Sequence, residues 1–133
     1  MQFGIFNFIR EIEKGTPDAF MTRLSAMMAD TDYRIVGDSE LYFQNFCFVF
    51  FRLLGCYVEV ERETSDGRMD MTIQTKDYVY LLEFKLNQSA DEALRQIEEK
   101  QYARAFAADT RKLFKIGVNF STEKRSVTDW KIA

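Results

Sequence analysis

The stretch MDMTIQTKDYVYLLEFKL, Met69 to Leu86, alternates its side chains with the two-residue period of extended chain and breaks only at Lys76-Asp77. In the strand expected over residues 68–75, Met69, Met71 and Ile73 share one face, and Asp70 and Thr72 the other. In the strand expected over residues 78–86, Tyr78, Tyr80, Leu82, Phe84 and Leu86 share one face. Val79, Leu81, Glu83 and Lys85 take the opposite one. A two-residue connection makes the pair an antiparallel hairpin, although Lys76-Asp77 lacks the glycine of the strongest turns. Residue 75 then pairs with 78, and counting away from the turn sets Asp70 opposite Glu83.

That register puts two carboxylates and an ammonium on one patch. Like charges directly opposed across a sheet destabilise it, and burying unpaired charge is expensive. Lys85 can pair with one carboxylate but cannot saturate both. A bound hard cation would neutralise the patch, because oxygen ligands are what Mg2+ selects.

With 133 residues the chain is long enough for one domain with a real core. Its 47% hydrophobic content and 15% aromatics argue against disorder. Zero histidines removes Ser-His-Asp and Cys-His nucleophile pairs, His-ligated zinc and histidine bases. Any hydrolysis must be run by carboxylates, lysine and metal. A net charge of −3 does not advertise nucleic-acid binding. Clustered carboxylates lower the formal count, however, and a metal held there returns positive charge. Cys47 and Cys56 sit in apolar runs without CxxC spacing and read as reduced core residues. The N-terminus lacks the basic, apolar and small-residue order of a signal peptide. Residues 46–54 are apolar but interrupted by Arg52 and too short to span a bilayer. The expected location is the cytoplasm.

In chain order, residues 3–14 form an amphipathic helix ended by Gly15, with Phe3, Phe6, Ile9 and Ile12 inward. Thr16-Pro17 reads as a cap and first helical position. Phe20, Leu24, Met27 and Met28 stripe the helix that follows. Both helices read as packing or attachment and carry no chemistry. Residues 30–38 are a polar connection. Ser39 caps a helix through Leu54, stopped by Gly55, that is apolar nearly all round and should lie deep against a sheet. Glu40 opens it, either complementing the helix dipole or reaching the Asp70–Glu83 patch.

Residues 56–64 alternate again, with Val58 and Val60 inward and Glu59, Glu61 and Glu63 outward. The Asp66-Gly67 turn joins them to the strand of Asp70, completing a three-strand meander. Ser89 with Glu92 is a capping box for a helix to about Ala108, with Ala93, Leu94, Ile97, Gln101 and Ala105 on one side. Gln96 and Lys100 lie one turn apart and could lean over the patch or simply be solvated. Residues 112–121 and 126–132 close the chain as two strands. The order describes an α/β fold with a mixed sheet.

Asp70, then Glu83-Phe84-Lys85 on the next strand, with Glu40 on a preceding helix and Gln96 on a following one, resembles the PD-(D/E)XK nuclease superfamily. More closely, residues 57–133 with SDGRMDM, EFKL, ALRQIEEKQY and GVNFS are similar to the nuclease-type domain found C-terminal to an AAA-like ATPase in many bacterial proteins. The likeness reaches back to about Tyr33. Met69 departs from the superfamily's proline, and Gln96 and Tyr102 are spaced more widely than the related Gln-x-x-x-Tyr motif. No GxxxxGK[ST] phosphate loop is present.

The resemblance implies a restriction-endonuclease-like mixed sheet flanked by helices over residues 33–133. Residues 1–32 would be an N-terminal helical extension, the remnant of a connection to an ATPase module. It also implies metal-dependent hydrolysis of nucleic acid, with DNA the expected substrate. Asp70, Glu83, the Phe84 carbonyl and Glu40 would hold Mg2+ or Mn2+. Lys85 would orient the attacking water or stabilise developing charge, and Gln96 would steady the water or phosphate. Tyr102 and Lys100 would stand nearby. A non-catalytic module of the same fold, docking a partner or regulating an attached ATPase, is the rival reading, which the low pI favours. A third is an ordinary α/β domain whose Glu83–Lys85 ion pair is incidental. Phe-rich helix surfaces would suit a homodimer interface.

Overall fold

A computed structural model describes residues 5–29, 48–55, 57–62, 69–121, 123 and 126–133, with the backbone alone at 29, 57–62, 69, 70, 102 and 126. Five strands form a single sheet in chain order: β1 (Tyr57–Arg62), β2 (Met69–Gln74), β3 (Tyr78–Leu86), β4 (Lys112–Ser121) and β5 (Ser126–Ile132). The β1–β2–β3 meander is antiparallel, β3 and β4 are parallel, and β4 and β5 antiparallel. The mixed sheet is therefore as expected, as are the bounds of β4 and β5. Parallel pairing of β3 and β4 requires a crossover, and helix α4 (Ala90–Glu99) supplies it.

One face of the sheet carries the main core. Met71, Ile73, Tyr80, Leu82, Phe84, Ile116, Val118 and Phe120 are buried there. Helices α1 (Ile5–Glu13) and α2 (Pro17–Ala29) and the helical residues 48–53 (α3) cover them. Phe8 packs edge-on to Phe20 and Phe50, and Phe20 edge-on to Tyr80, the offset arrangement aromatic quadrupoles favour. The Tyr80 hydroxyl donates to the Ile12 carbonyl, and the Trp130 indole N–H to Asp18 at 2.9 Å, tying α1 and α2 to the sheet. The α2 stripe reads as expected, with Phe20, Leu24 and Met28 buried.

Two helix readings change. Phe6 is 81% exposed rather than inward, because α1 buries Phe8 and Ile12. Two residues are about 200° around a helix, so Phe6 points away from Phe8. In α3, Phe51 is buried and Phe48 and Phe50 half-buried, but Val49, Arg52 and Leu53 face solvent. Three helices share one sheet face, so α3 offers the core one side only. The Ser39 cap, the first part of that helix, the residue 30–38 connection and the Asp66-Gly67 turn lie outside the described residues. So do Phe3 and the side chains of β1.

Gly15 ends α1 at φ +75°, and a Cβ there would stand 2.3 Å from the Tyr78 ring. Gly15→Ala is expected to cost about 2 kcal/mol, combining left-handed strain with overpacking. Urea unfolding monitored by circular dichroism would measure it; an unchanged midpoint would show that the ring swings aside freely.

The opposite sheet face is covered by α4, which ends nine residues before the expected Ala108. Gln101 takes a left-handed conformation, φ 56°, and a short 3-10 turn, Tyr102–Phe106, follows. The break turns Ala103 and Phe106 toward Val79, Leu81 and Leu113, which uninterrupted helical periodicity would not do. Gln101 and Ala105, expected inward, are exposed instead.

Arg111 staples the end of this crossover to the β2–β3 hairpin, donating to Asp109, to Thr75 O at 3.0 Å and to Gln74 Oε1 at 2.8 Å. Its guanidinium and backbone N–H, both bonded to Asp109, hold that carboxyl down at about 2 from the usual 3.8. A depressed folded-state value contributes stability that is present above the unfolded value and lost as pH falls through the folded one. Asp109→Asn should therefore unfold at a lower temperature than the parent at neutral pH. The gap should close between about pH 4 and pH 2, as read from thermal melts across that range.

Candidate active site

Strand β3 is buried along nearly its whole length on both faces. On the α4 side its alternation brings Val79 and Leu81 into a small apolar cluster with Ile97, then two charges, Glu83 and Lys85. Glu83 is 0% and Lys85 5% exposed. Charged side chains are almost never this buried without a reason. In so low a dielectric each charge is costly by itself.

The register answers the hairpin argument directly: Asp70 pairs with Glu83 and Gln74 with Val79. Thr75 N donates to Tyr78 O at 2.9 Å and closes the turn at Lys76-Asp77. Asp70 is placed here by its backbone position, beside Glu83 on the adjacent strand. Glu40 lies outside the described residues. Among the described residues no three Cys, Asp or Glu side chains cluster closely enough to hold an ion; the two predicted carboxylates that would complete the set, those of Asp70 and Glu40, are not among them. The donor set as a whole, carboxylates with the Phe84 carbonyl, is all oxygen and suits a hard divalent cation rather than a soft one. The Phe84 ring itself points to the opposite face, stacked on Phe120.

Helix α4 lies over this patch. Ser89 caps it, accepting from Glu92 N at 3.1 Å, as the capping signature implies. Its buried face is Ala90, Ala93, Gln96 and Ile97, so Gln96 turns inward, 3% exposed. Lys100, at the C-cap, is exposed. The two residues that one-turn spacing put together thus part company. Tyr102 begins the 3-10 turn beyond the helix.

Helix α4 approaches the sheet closely at Gly117, the register partner of Glu83 on β4. A Cβ there would stand 2.4 Å from Ala90 O and 2.8 Å from Leu94 N. Two strand positions further, Asn119 pairs with Lys85 and is 6% exposed. Neither Gly117 nor Asn119 was singled out from sequence. The signal was present, since both break the apolar pattern of GVNFS on the face that Glu83 and Lys85 share.

Cations on the surface around α4 are engaged by its acids. Lys131 pairs with Asp91 at 2.8 Å, Lys115 with Glu98 at 2.5 Å, and Arg95 with both Glu92 and Glu99. The Glu92 and Glu99 partners keep the Arg95 guanidinium above its ordinary value. Such exposed pairs contribute little to stability. No helix among the described residues is long and apolar enough to cross a membrane.

Comparison with known proteins bears on the family and the fold. A protein described as "Uncharacterized protein in vnfD 5'region", from Azotobacter chroococcum mcd 1, is 37% identical over 95 residues. That alignment takes in 70% of this chain and only 18% of the relative's length, so the chain spans under a fifth of that protein. No solved structure matches. The profile of the PD-(D/E)XK nuclease superfamily, whose members typically use divalent metals, matches residues 38–130. That span runs from before Glu40 to β5 and contains the Asp70–Glu83–Lys85 patch, its covering helix and all five strands but the last two residues of β5. A mixed sheet flanked by helices, with acid opposite acid and lysine two positions on, is thus the fold of this chain, which belongs to the PD-(D/E)XK nuclease superfamily.

Proposed function

We propose that the protein is a metal-dependent nuclease hydrolysing phosphodiester bonds, with DNA as its substrate. The observation that carries this reading is the pair of buried charges, Glu83 and Lys85, on one face of β3 with Asp70 in register beside Glu83. Asp70, Glu83 and the Phe84 carbonyl, with Glu40, would hold Mg2+ or Mn2+. When bound, such a cation polarises a phosphate and lowers the pKa of bound water.

The chain's own groups do the rest. Lys85, a compact point charge held in a low-dielectric strand, stabilises negative charge developing on the phosphate or orients the attacking water. Gln96, turned inward from α4, steadies the water or a phosphate oxygen. Lys100 and Tyr102, beyond the inward face of α4, would meet the substrate backbone at the rim. Burial of the patch under α4 excludes bulk water and strengthens each of these interactions.

Residues 33–133 are read as the nuclease-like unit. Residues 1–32 would be a helical extension linking to an AAA-like ATPase module in a longer parent protein. The cytoplasm is the proposed location, and the solvent-facing Phe6 and Leu53 would suit a homodimer contact. The rival, a non-catalytic module of the same fold, is favoured by the pairing of Lys115, Lys131 and Arg95 with α4 acids, which leaves them less available to grip a phosphate backbone.

Incubation with plasmid, linear and single-stranded DNA in Mn2+ decides between them. The nuclease reading expects cleavage, reduced on the order of 10²- to 10³-fold by Lys85→Ala. Cleavage undiminished in that variant removes the role given to Lys85. Folded protein that binds Mn2+ and cuts none of the three supports the docking module.

A further inference from the structure

We infer that Asn119 is a positioning residue, whose side-chain amide sets the β3–α4 connection and thereby holds α4 over Lys85 and Glu83. The inference rests on reading that patch as the active site, but its first two readouts do not.

The connection is only Asn87, Gln88 and Ser89 long. Asn87 adopts φ 55°, the left-handed region that asparagine enters more readily than most non-glycine residues. Its N–H donates to Phe120 O at 2.8 Å. The next N–H, of Gln88, has no strand partner to meet and donates to Asn119 Oδ1 at 2.9 Å. Asn119 Nδ2 in turn donates to Thr128 Oγ1 at 3.0 Å, and the Thr128 hydroxyl lies 3.3 Å from Asp129 Oδ1. Asp129 completes the path back, because its Oδ2 accepts from Ala90 N, the first residue of α4, at 3.3 Å.

One amide therefore joins three strands to the start of the helix. An asparagine suits the place, since it must accept from Gln88 and donate to Thr128 at once. It also stands beside Lys85 in the β3–β4 register and is itself buried. A bulge at Asn119/Phe120 lets β5 offer Thr128 and Asp129 to the same corner. If the amide is lost, the connection that leads into α4 loses a tether to the sheet beside Lys85, and this corner opens more often.

The test compares Asn119→Ala with Ile12→Val, a mild truncation in the core on the other sheet face. Exchange of the Gln88 amide is followed by NMR. Acylation of Lys85 by an N-hydroxysuccinimide ester is followed by peptide mass spectrometry against the exposed Lys76 of the same molecule. In Asn119→Ala both should rise about tenfold or more over the parent, as expected for loss of a buried hydrogen bond that closes a local opening. Ile12→Val should change neither. Mn2+ affinity, measured by calorimetry, should fall about tenfold in Asn119→Ala, the scale of effects transmitted through an outer shell.

Thr128→Val removes the hydroxyl that orients the amide and should give a smaller increase in both rates; it serves if Asn119→Ala does not fold. Rates no higher than in Ile12→Val overturn the inference. If the parent binds no Mn2+ while Gln88 and Lys85 respond as stated, the nuclease reading fails and the positioning role stands.

Discussion

Glu83→Gln is expected to abolish Mn2+ binding and to lower DNA cleavage by on the order of 10³-fold or more, with the protein still folded. Several kcal/mol of charge stabilisation pass through a metal in a phosphoryl-transfer site, and each 1.4 kcal/mol or so is about tenfold in rate. Glutamine has the shape of glutamate but not its charge, so the strand should keep its packing. Leu82 and Phe84, on either side of Glu83, remain anchored in the main core on the other face. The substitution also removes one of two acidic residues, Asp70 and Glu83, that are paired in register across the hairpin, where like charges are unfavourable. The unfolding temperature of metal-free protein should therefore stay within about 5 °C of the parent. Calorimetric titration with Mn2+, a plasmid-nicking assay and a thermal melt on one preparation give all three readings. Unaltered Mn2+ affinity in the variant would mean that the cation, if it binds, binds elsewhere.

Gly117→Ala is expected to destabilise the protein more than Gly15→Ala, because the atoms it meets are backbone rather than a side-chain ring. The new Cβ would meet Ala90 O at 2.4 Å and Leu94 N at 2.8 Å, both backbone atoms that no rotamer change can move away. Helix α4 must lift from the sheet, or β4 must sink, and overpacking of this kind costs about 3 kcal/mol. For a domain of this size that corresponds to a fall of roughly 10 °C in unfolding temperature. Because Gly117 is the neighbour of Glu83, lifting α4 also moves Gln96 away from the patch. Cleavage measured well below the melting temperature should fall as well. A variant that melts with the parent would show that α4 rides on the sheet loosely, contrary to the close contact at Ala90 and Leu94.

The two effects separate what the patch does from what holds it. Glu83→Gln changes chemistry and leaves architecture, whereas Gly117→Ala changes architecture and leaves every charge in place. Protein carrying either variant also tests the rival docking role, since a partner surface on α1 or α3 would be indifferent to both.

Much of this arrangement was legible in the sequence. A strand's two-residue period is a local property, and the two-residue turn at Lys76-Asp77 ties one strand's count to the next. The faces of β3, the burial of Met71 and Ile73, and the Asp70–Glu83 register followed from that alone. The cap at Ser89 and the strands β4 and β5 were equally local, because each is marked by its own few residues. What tertiary structure decided was how a helix is shared between water and core. Phe6 was as good an inward residue as Phe8 by composition, and only the packing of Phe8 against Phe20 and Phe51 chose between them. Likewise α4 stops at Glu99 because Phe106 has an apolar cluster to reach, and Asn119 matters because Gln88 and Thr128, far apart in the chain, converge on it. Alternation and capping are set by neighbours along the backbone, whereas a choice between faces is set by contacts whose energy exists only once distant segments have met.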